Sequence, residues 1–242
     1  MKTTSEAMTE YSRLIAYGDS FVHGDGLSTH DQTRSFWERY SPDAWPHLLG
    51  NKLQIPNIIN KGIQGGSNFE SAHQMLRDVT ELNINPTDLV YVLLSHPARI
   101  PIPTGYAPML YQSNIHFRNA RGLKFLQDIE LLVTPQHIAE AWTLDAHNLI
   151  SIIQNYTGCT VRFFWGWFDI YKDKYPQLYG IPTINEICED EDPRVVSLQT
   201  QLEIRENNHL AKCGHWNERG HQIVADKLYE YEKANGSEAV SR

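Results

Sequence analysis

Two short segments near opposite ends of the chain carry the side chains best suited to do chemistry. Gly18-Asp19-Ser20-Phe21 follows a short apolar run, and Cys213-Gly214-His215-Trp216-Asn217 precedes a helical pattern. A serine hydroxyl is a poor nucleophile until a neighbouring base takes its proton. Histidine is the usual base, because its unperturbed pKa lies near neutrality. Ser20, at a tight turn after a strand, would present its hydroxyl to a crevice, and His215, in a turn before a helix, could reach it. Plainer roles exist for each. Ser20 could satisfy backbone N–H groups at a strand end, and His215 could simply enter a helix. Asp19 reads as a turn-stabilising carboxylate rather than a catalytic acid. Asn217 reads as a helix N-cap, and His221 as a surface or packing residue. Arg99 reads as a solvated loop residue or a contact for an anionic group.

Other chemistries find less support. His209, Cys213, His215 and His221 lie close in sequence, but their spacings match no common zinc pattern. Neither Gly18 to Gly26 nor Gly62 to Gly66 gives a dinucleotide fingerprint, and there is no phosphate-loop Gly-Lys-Ser/Thr. The Gly-x-Ser-x-Gly elbow is absent too. A formal net charge of −8 argues against nucleic acid, which needs a basic footprint. Cys159, Cys188 and Cys213 are odd in number and scattered, so no disulfide framework is expected and a reducing compartment fits. The polar N-terminus lacks the apolar core of a signal peptide. No apolar run approaches the ~20 residues of a membrane span. The expectation is a soluble protein made in the cytoplasm, with no membrane partner; release by lysis or incorporation into a virion would leave no mark in such a sequence.

The elements that must position these residues alternate. Arg13 to Tyr17, Ile58 to Asn60, Asp88 to Leu94 and Thr160 to Trp165 read as strands. The third is continuously apolar, as when both faces are covered. Helical patterns run over Asp43 to Leu53, Asn68 to Leu82, Gly122 to Val133, Gln136 to Tyr156 and Gly220 to Tyr231. In the second, Phe69, Ala72, Met75, Leu76 and Val79 share one face; in the last, Ile223, Val224, Leu228 and Tyr231 point inward. A Pro-rich segment over about 97–121 reads as an insertion loop, either a binding wall or an inert excursion. Ile170 to Val195 is irregular and contains an acidic run that reads as solvated. Residues 1–11 and 234–242 read as loose ends, leaving one domain over 12–233. Such alternation predicts an α/β fold: a flavodoxin-like three-layer α/β/α sandwich with a mostly parallel sheet. Ligands bind such sheets beyond the carboxyl ends of the strands.

The segments at those ends resemble the SGNH (GDSL-type) hydrolases. Gly18-Asp19-Ser20 matches their first block, Asn60, Gly62 and Gly65 their Asn-x-Gly-x-x-Gly turn, and His215-Trp216-Asn217 with Gly220 their last. The order holds over nearly the whole chain. The Ser95-His96-Pro97 segment and the Asn217-Glu218-Arg219-Gly220-His221 run are also similar to SGNH-like proteins of bacteriophages. The resemblance implies a serine ester hydrolase with an acyl-enzyme intermediate, Ser20 as nucleophile and His215 as general base. It implies an oxyanion hole of the Ser20 N–H, the Gly65 N–H and a side-chain amide from the third block. Gly65 would let the backbone approach a substrate closely. Asp19, Asn68, Ser95 and Arg99 stand beside these as supporting or substrate-contacting residues.

Two positions depart from the pattern. His96 stands where the family has Asn; an imidazole N–H can donate the same bond, or the donor is lost. Losing one such donor typically costs ~100- to 1000-fold in turnover. Three residues before His215, where the family has Asp, stands Lys212, followed by Cys213. The implied chemistry needs neither metal nor organic cofactor. Its substrate would be a small-molecule or carbohydrate ester, with Tyr106, Tyr111 and Trp167 as candidate stacking faces. Two alternatives stay open: a binding or structural module that keeps the fold without efficient catalysis, and an acyltransferase.

Overall fold

Strand β1 (Arg13–Gly18) is apolar on both sides because both sides are covered: Leu14, Ile15, Ala16 and Tyr17 are all fully buried. In the computed structural model, which describes residues 11–25, 27, 41–97, 99, 135–165, 177–178, 181 and 215–236, a short helix α1 (Ser20–His23) follows at once. Helix α2 (Trp45–Lys52), β2 (Asn57–Gly62), α3 (Asn68–Asp78), β3 (Asp88–Leu94), α4 (Pro135–Thr157), β4 (Thr160–Trp165) and α5 (Glu218–Gly236) come next in order. The insertion beyond Arg99, the helix over 122–133, the irregular 170–195 stretch save 177–178 and 181, and the terminal 237–242 lie outside the described residues.

The four strands pair in parallel in the order β2-β1-β3-β4. Strand succession reverses between β1 and β3, which opens a crevice at their carboxyl ends. Side chains alternate across the sheet. Ile15, Tyr17, Val90, Val92 and Leu94 pack with Ala72 and Met75 of α3 and Ala146, Ile150 and Ile153 of α4. Leu14, Ala16, Leu89, Tyr91 and Leu93 pack on the other face with Trp45 and Leu49 of α2 and Val224 and Leu228 of α5. The three-layer sandwich expected from the alternation is therefore the observed one.

Boundaries differ from the sequence expectation in physical ways. Helix α2 starts at Trp45 rather than Asp43, because Asp43 is in a turn where its N–H bonds to the Ser41 hydroxyl. Helix α3 ends at Asp78, and one wider π-type turn, Val79–Asn83, leads to Asn83 at φ +51. The apolar stripe of α3 is narrower than expected: Ala72 and Met75 are buried, but Leu76, the next residue round the helix, is 44% exposed. Helix α5 runs on to Gly236, past the expected start of the loose tail, and Tyr231 is only half-buried. Among the described residues, no helix is long and apolar enough to cross a membrane.

Candidate active site

At the carboxyl end of β1 the chain turns sharply into α1, and Asp19 makes that turn. Its backbone is extended, and one carboxylate oxygen, Oδ1, accepts the Phe21 N–H at 3.0 Å. Ser20 is thereby the first helical residue, buried at 3% exposure. Its carbonyl accepts the N–H groups of both Gly24 and Asp25 at 3.0 Å, and Gly24 closes the turn at φ +93. The end of β2 docks on this unit. Asn60 bridges it, donating to the Val22 carbonyl at 2.7 Å and accepting the Gly62 N–H at 2.9 Å. Gly62 must be glycine: a Cβ there would lie 2.2 Å from the backbone nitrogen of His23. The Ile63 N–H then bonds to the Gly18 carbonyl at 2.8 Å.

His215 comes from the far end of the chain, 195 residues away, and its Nε2 lies 2.9 Å from the Ser20 hydroxyl oxygen. The Phe21 ring packs against both the imidazole and Trp216, at centroid distances of 5.0 and 4.7 Å. Asn217 caps α5, accepting the Gly220 N–H at 3.1 Å. Burial lowers the pKa of His215 below 6.5. The carboxylates of Asp25 and then Asp19 oppose that shift, and Arg99 adds to it. His215 is thus neutral at neutral pH, as a proton acceptor must be.

Among the described residues, the backbone N–H groups of Ser20 and Gly65 meet no acceptor. Gly65 sits at φ +69, and a Cβ built on it would meet nothing within 4 Å. Its glycine identity answers to backbone conformation, not to crowding. The turn is held from the β3 side, where the Gly66 carbonyl accepts from the Ser95 hydroxyl at 3.1 Å. Asn68 locks Ser95 through both of its amide atoms, with Oδ1 accepting the Ser95 N–H at 2.7 Å and Nδ2 donating to the Ser95 carbonyl at 3.1 Å. Asn68 and Ser95 are framework, buried at 4% and 1% exposure. His96 is buried at the end of β3, its carbonyl accepting the Arg99 N–H at 2.9 Å.

For Arg99 and His221 the structure chooses between open readings, and Asp25 had none. Arg99 is neither solvated nor turned outward: its Nη1 pairs with Asp19 Oδ2 at 2.5 Å. His221 takes the packing reading: it is fully buried, and its Nδ1 accepts the Trp45 N–H at 3.1 Å. Asp25, overlooked as a site residue, is 8% exposed and pairs with His23 Nδ1 at 2.8 Å. Its signal was a lone carboxylate in a Gly-Asp-Gly turn close to the nucleophile. Lys212, Cys213, His209, Tyr106, Tyr111 and Trp167 lie outside the described residues. Among the described residues, no cluster of His, Cys, Asp and Glu is arranged to hold a metal ion.

No family model and no curated protein matches the chain. Solved structures do. An acetyl xylan esterase from the rumen bacterium Butyrivibrio proteoclasticus superposes with a TM-score of 0.51 at 11% identity, over 93% of this chain and 64% of that one. A member of the lipolytic G-D-S-L family from Veillonella parvula matches at TM-score 0.42 and 15% identity, covering 90% and 96%. A catalytic mutant of an acetylxylan esterase from Geobacillus stearothermophilus matches at TM-score 0.47 and 12% identity, covering 93% and 96%. The chain shares the three-layer α/β/α fold of the first of these, the acetyl xylan esterase.

Proposed function

We propose that this chain is a serine ester hydrolase in which Ser20 is the nucleophile and His215 the general base. The observation that carries the reading is the 2.9 Å contact between the Ser20 hydroxyl and His215 Nε2 across 195 residues of sequence. A structural serine has no need of a neutral, half-buried imidazole at hydrogen-bond distance.

The steps follow from that geometry. Ser20 Oγ attacks the ester carbonyl carbon while its proton passes to His215 Nε2. The carbonyl π-electrons move to oxygen, and the oxyanion takes the N–H groups of Ser20 and Gly65, which have no competing acceptor among the described residues. His96, at the end of β3, is the candidate for the third donor. Collapse expels the alcohol, which leaves with the proton from Nε2, and an acyl-serine remains. Water then attacks the acyl carbon and gives its proton to Nε2. The second tetrahedral species expels Ser20 Oγ, which recovers that proton, and releases the acid. We take the acyl group to be short and the alcohol to be a carbohydrate hydroxyl, as the name of the acetyl xylan esterase with the same fold suggests.

A fluorophosphonate probe tests the nucleophile. It should label the wild type at Ser20, and both Ser20→Ala and His215→Ala should lose turnover of p-nitrophenyl acetate, by up to about a million-fold for the nucleophile. Equal background rates in all three proteins would show a module that has kept the fold without the reaction.

A further inference from the structure

Arg99 touches all three strand-end segments that build the site. Its backbone N–H bonds to the His96 carbonyl at 2.9 Å, and its Nη1 bonds to Asp19 Oδ2 at 2.5 Å and to the Gly66 carbonyl at 3.3 Å. The pair it forms with Asp19 is almost closed to water, at 10% exposure for the Arg99 side chain and 0% for Asp19. The two groups it joins matter for different reasons. Asp19 caps the helix that begins at Ser20, so its carboxylate sets where the hydroxyl stands. Gly66 follows Gly65, whose N–H meets no acceptor among the described residues. One guanidinium nitrogen therefore spans the nucleophile turn and the turn opposite it.

We propose that Arg99 is a positioning residue that fixes the Ser20 turn and the Gly65-Gly66 turn at one separation, so that nucleophile and oxyanion donors converge on the same carbonyl. The inference rests on the serine-hydrolase reading above and adds a residue that reading does not use. A purely structural arginine would use more of its fork. Here Nε is buried and meets no acceptor among the described residues, an arrangement that costs stability. What the geometry keeps is the single nitrogen that reaches both turns. Its charge has a second consequence. His215 feels the Asp25 and Asp19 carboxylates, which favour the imidazolium, and Arg99, which disfavours it, while the Phe21 ring lies against the imidazole.

Two substitutions separate position from charge. Arg99→Lys keeps the charge but loses the planar fork; Arg99→Met keeps the stem and loses the charge. For both, kcat on p-nitrophenyl acetate should fall about 100-fold with little change in KM, the size expected when reacting groups are misplaced by about 1 Å. The acidic limb of kcat/KM should stay in place for Arg99→Lys and move to higher pH for Arg99→Met, since a lost neighbouring cation raises the His215 pKa. Added guanidinium ion, at concentrations that do not unfold the wild type, should restore part of the kcat of Arg99→Met. Turnover within about twofold of wild type in either folded variant would overturn the proposal, as would a limb that stays fixed in Arg99→Met. If neither variant folds, Arg99 is a folding element and the proposal likewise fails. A wild type that takes no fluorophosphonate label at Ser20 overturns the serine-hydrolase reading itself. A labelled wild type with indifferent Arg99 variants overturns only the role of Arg99.

Discussion

Two arginine–aspartate pairs, each with a fully buried carboxylate, clamp the same two strands, one at each end, and they are built differently. At the amino end Arg13 meets Asp88, its direct neighbour across the β1–β3 ladder. The contact is a two-point fork, Nε to Oδ1 at 2.7 Å and Nη2 to Oδ2 at 2.5 Å. The third guanidinium nitrogen is used as well: Nη1 bonds to the Leu82 carbonyl at 2.7 Å, and Nη2 also reaches the Asn83 carbonyl at 3.0 Å. At the carboxyl end Arg99 meets Asp19 through one nitrogen, and its Nε has no acceptor among the described residues. The first pair is arranged as a stability element should be, with parallel charge-assisted bonds and every guanidinium nitrogen bonded. The second accepts an unsatisfied group in order to reach two turns. Satisfied ion pairs hold the sheet together; the incompletely satisfied one lies where chemistry is proposed.

If that contrast is right, damage at the two ends should read out in different measurements. The largest stability effect belongs to the amino end. Asp88→Ala leaves Arg13 without its carboxylate and removes the acceptor for the Asn85 N–H. Removing one partner of a fully buried pair costs about 3–5 kcal/mol. Arg13, however, is 20% exposed and keeps two carbonyl acceptors, so chemical denaturation should show the smaller loss of charge-assisted bonds, about 1.5–3 kcal/mol. At temperatures where the variant stays folded, its kcat and the acidic limb of kcat/KM should match wild type. A fall in kcat comparable to that of the Arg99 variants would erase the distinction.

The carboxyl end carries one stability element of its own, behind the site. His221, in the first turn of α5, accepts the Trp45 N–H through Nδ1, so its proton is on Nε2. Protonating Nδ1 would set two donors against each other in a buried place, and burial pushes the His221 pKa down to about 3. The sign follows. In the unfolded chain the imidazole takes a proton near its ordinary value of 6.5, and in the folded one only near 3. Stability is full above the higher value and falls as pH drops towards the lower, by up to about 1.4 kcal/mol per pH unit from this group. His221→Asn offers an amide oxygen to the Trp45 N–H and cannot titrate. Denaturation midpoints measured across that range should fall less steeply for the variant. Parallel profiles would mean that His221 does not carry the acid sensitivity.

Much of the architecture was legible because it is local. The run Asp88 to Leu94 announces a strand covered on both faces, and it is one, residue for residue. Asn60 reads as the end of a strand, and β2 runs two residues further, to Gly62, where the bond to Val22 and the close approach to His23 hold it. Ser20 and His215 were legible as a pair because each sits at a strand end or helix entry that the topology brings to one crevice. What escaped was long-range pairing. Arg99 has no local feature that says its guanidinium turns inward to a carboxylate 80 residues earlier. His221 reads as a surface or packing residue, and only Trp45, 176 residues away, decides for packing by offering it an N–H. Leu76 follows the apolar spacing of its helix, yet the covering layer ends before it. Periodicity tells which face is apolar; it does not tell how wide a neighbour covers it.

The smallest effect is the most diagnostic for the site end. Asp25 is the carboxylate that favours the His215 imidazolium most, ahead of Asp19, and it stands opposite in sign to Arg99. Asp25→Asn keeps the size of the side chain and leaves an oxygen that can still accept from His23. It removes the charge, so His215 should bind its proton less tightly and the acidic limb of kcat/KM should move to lower pH. Turnover should fall as well, because the imidazolium that forms as Ser20 attacks loses a stabilising neighbour. The shift runs against that expected for Arg99→Met. In the double variant the two charge effects should largely cancel in the limb, while the loss of kcat from the missing Arg99 bonds should persist. Groups this close can depart from additivity, so the decisive reading is the direction of each single shift. Limbs that move the same way in both variants would mean that the charges around His215 do not act on it as the geometry requires.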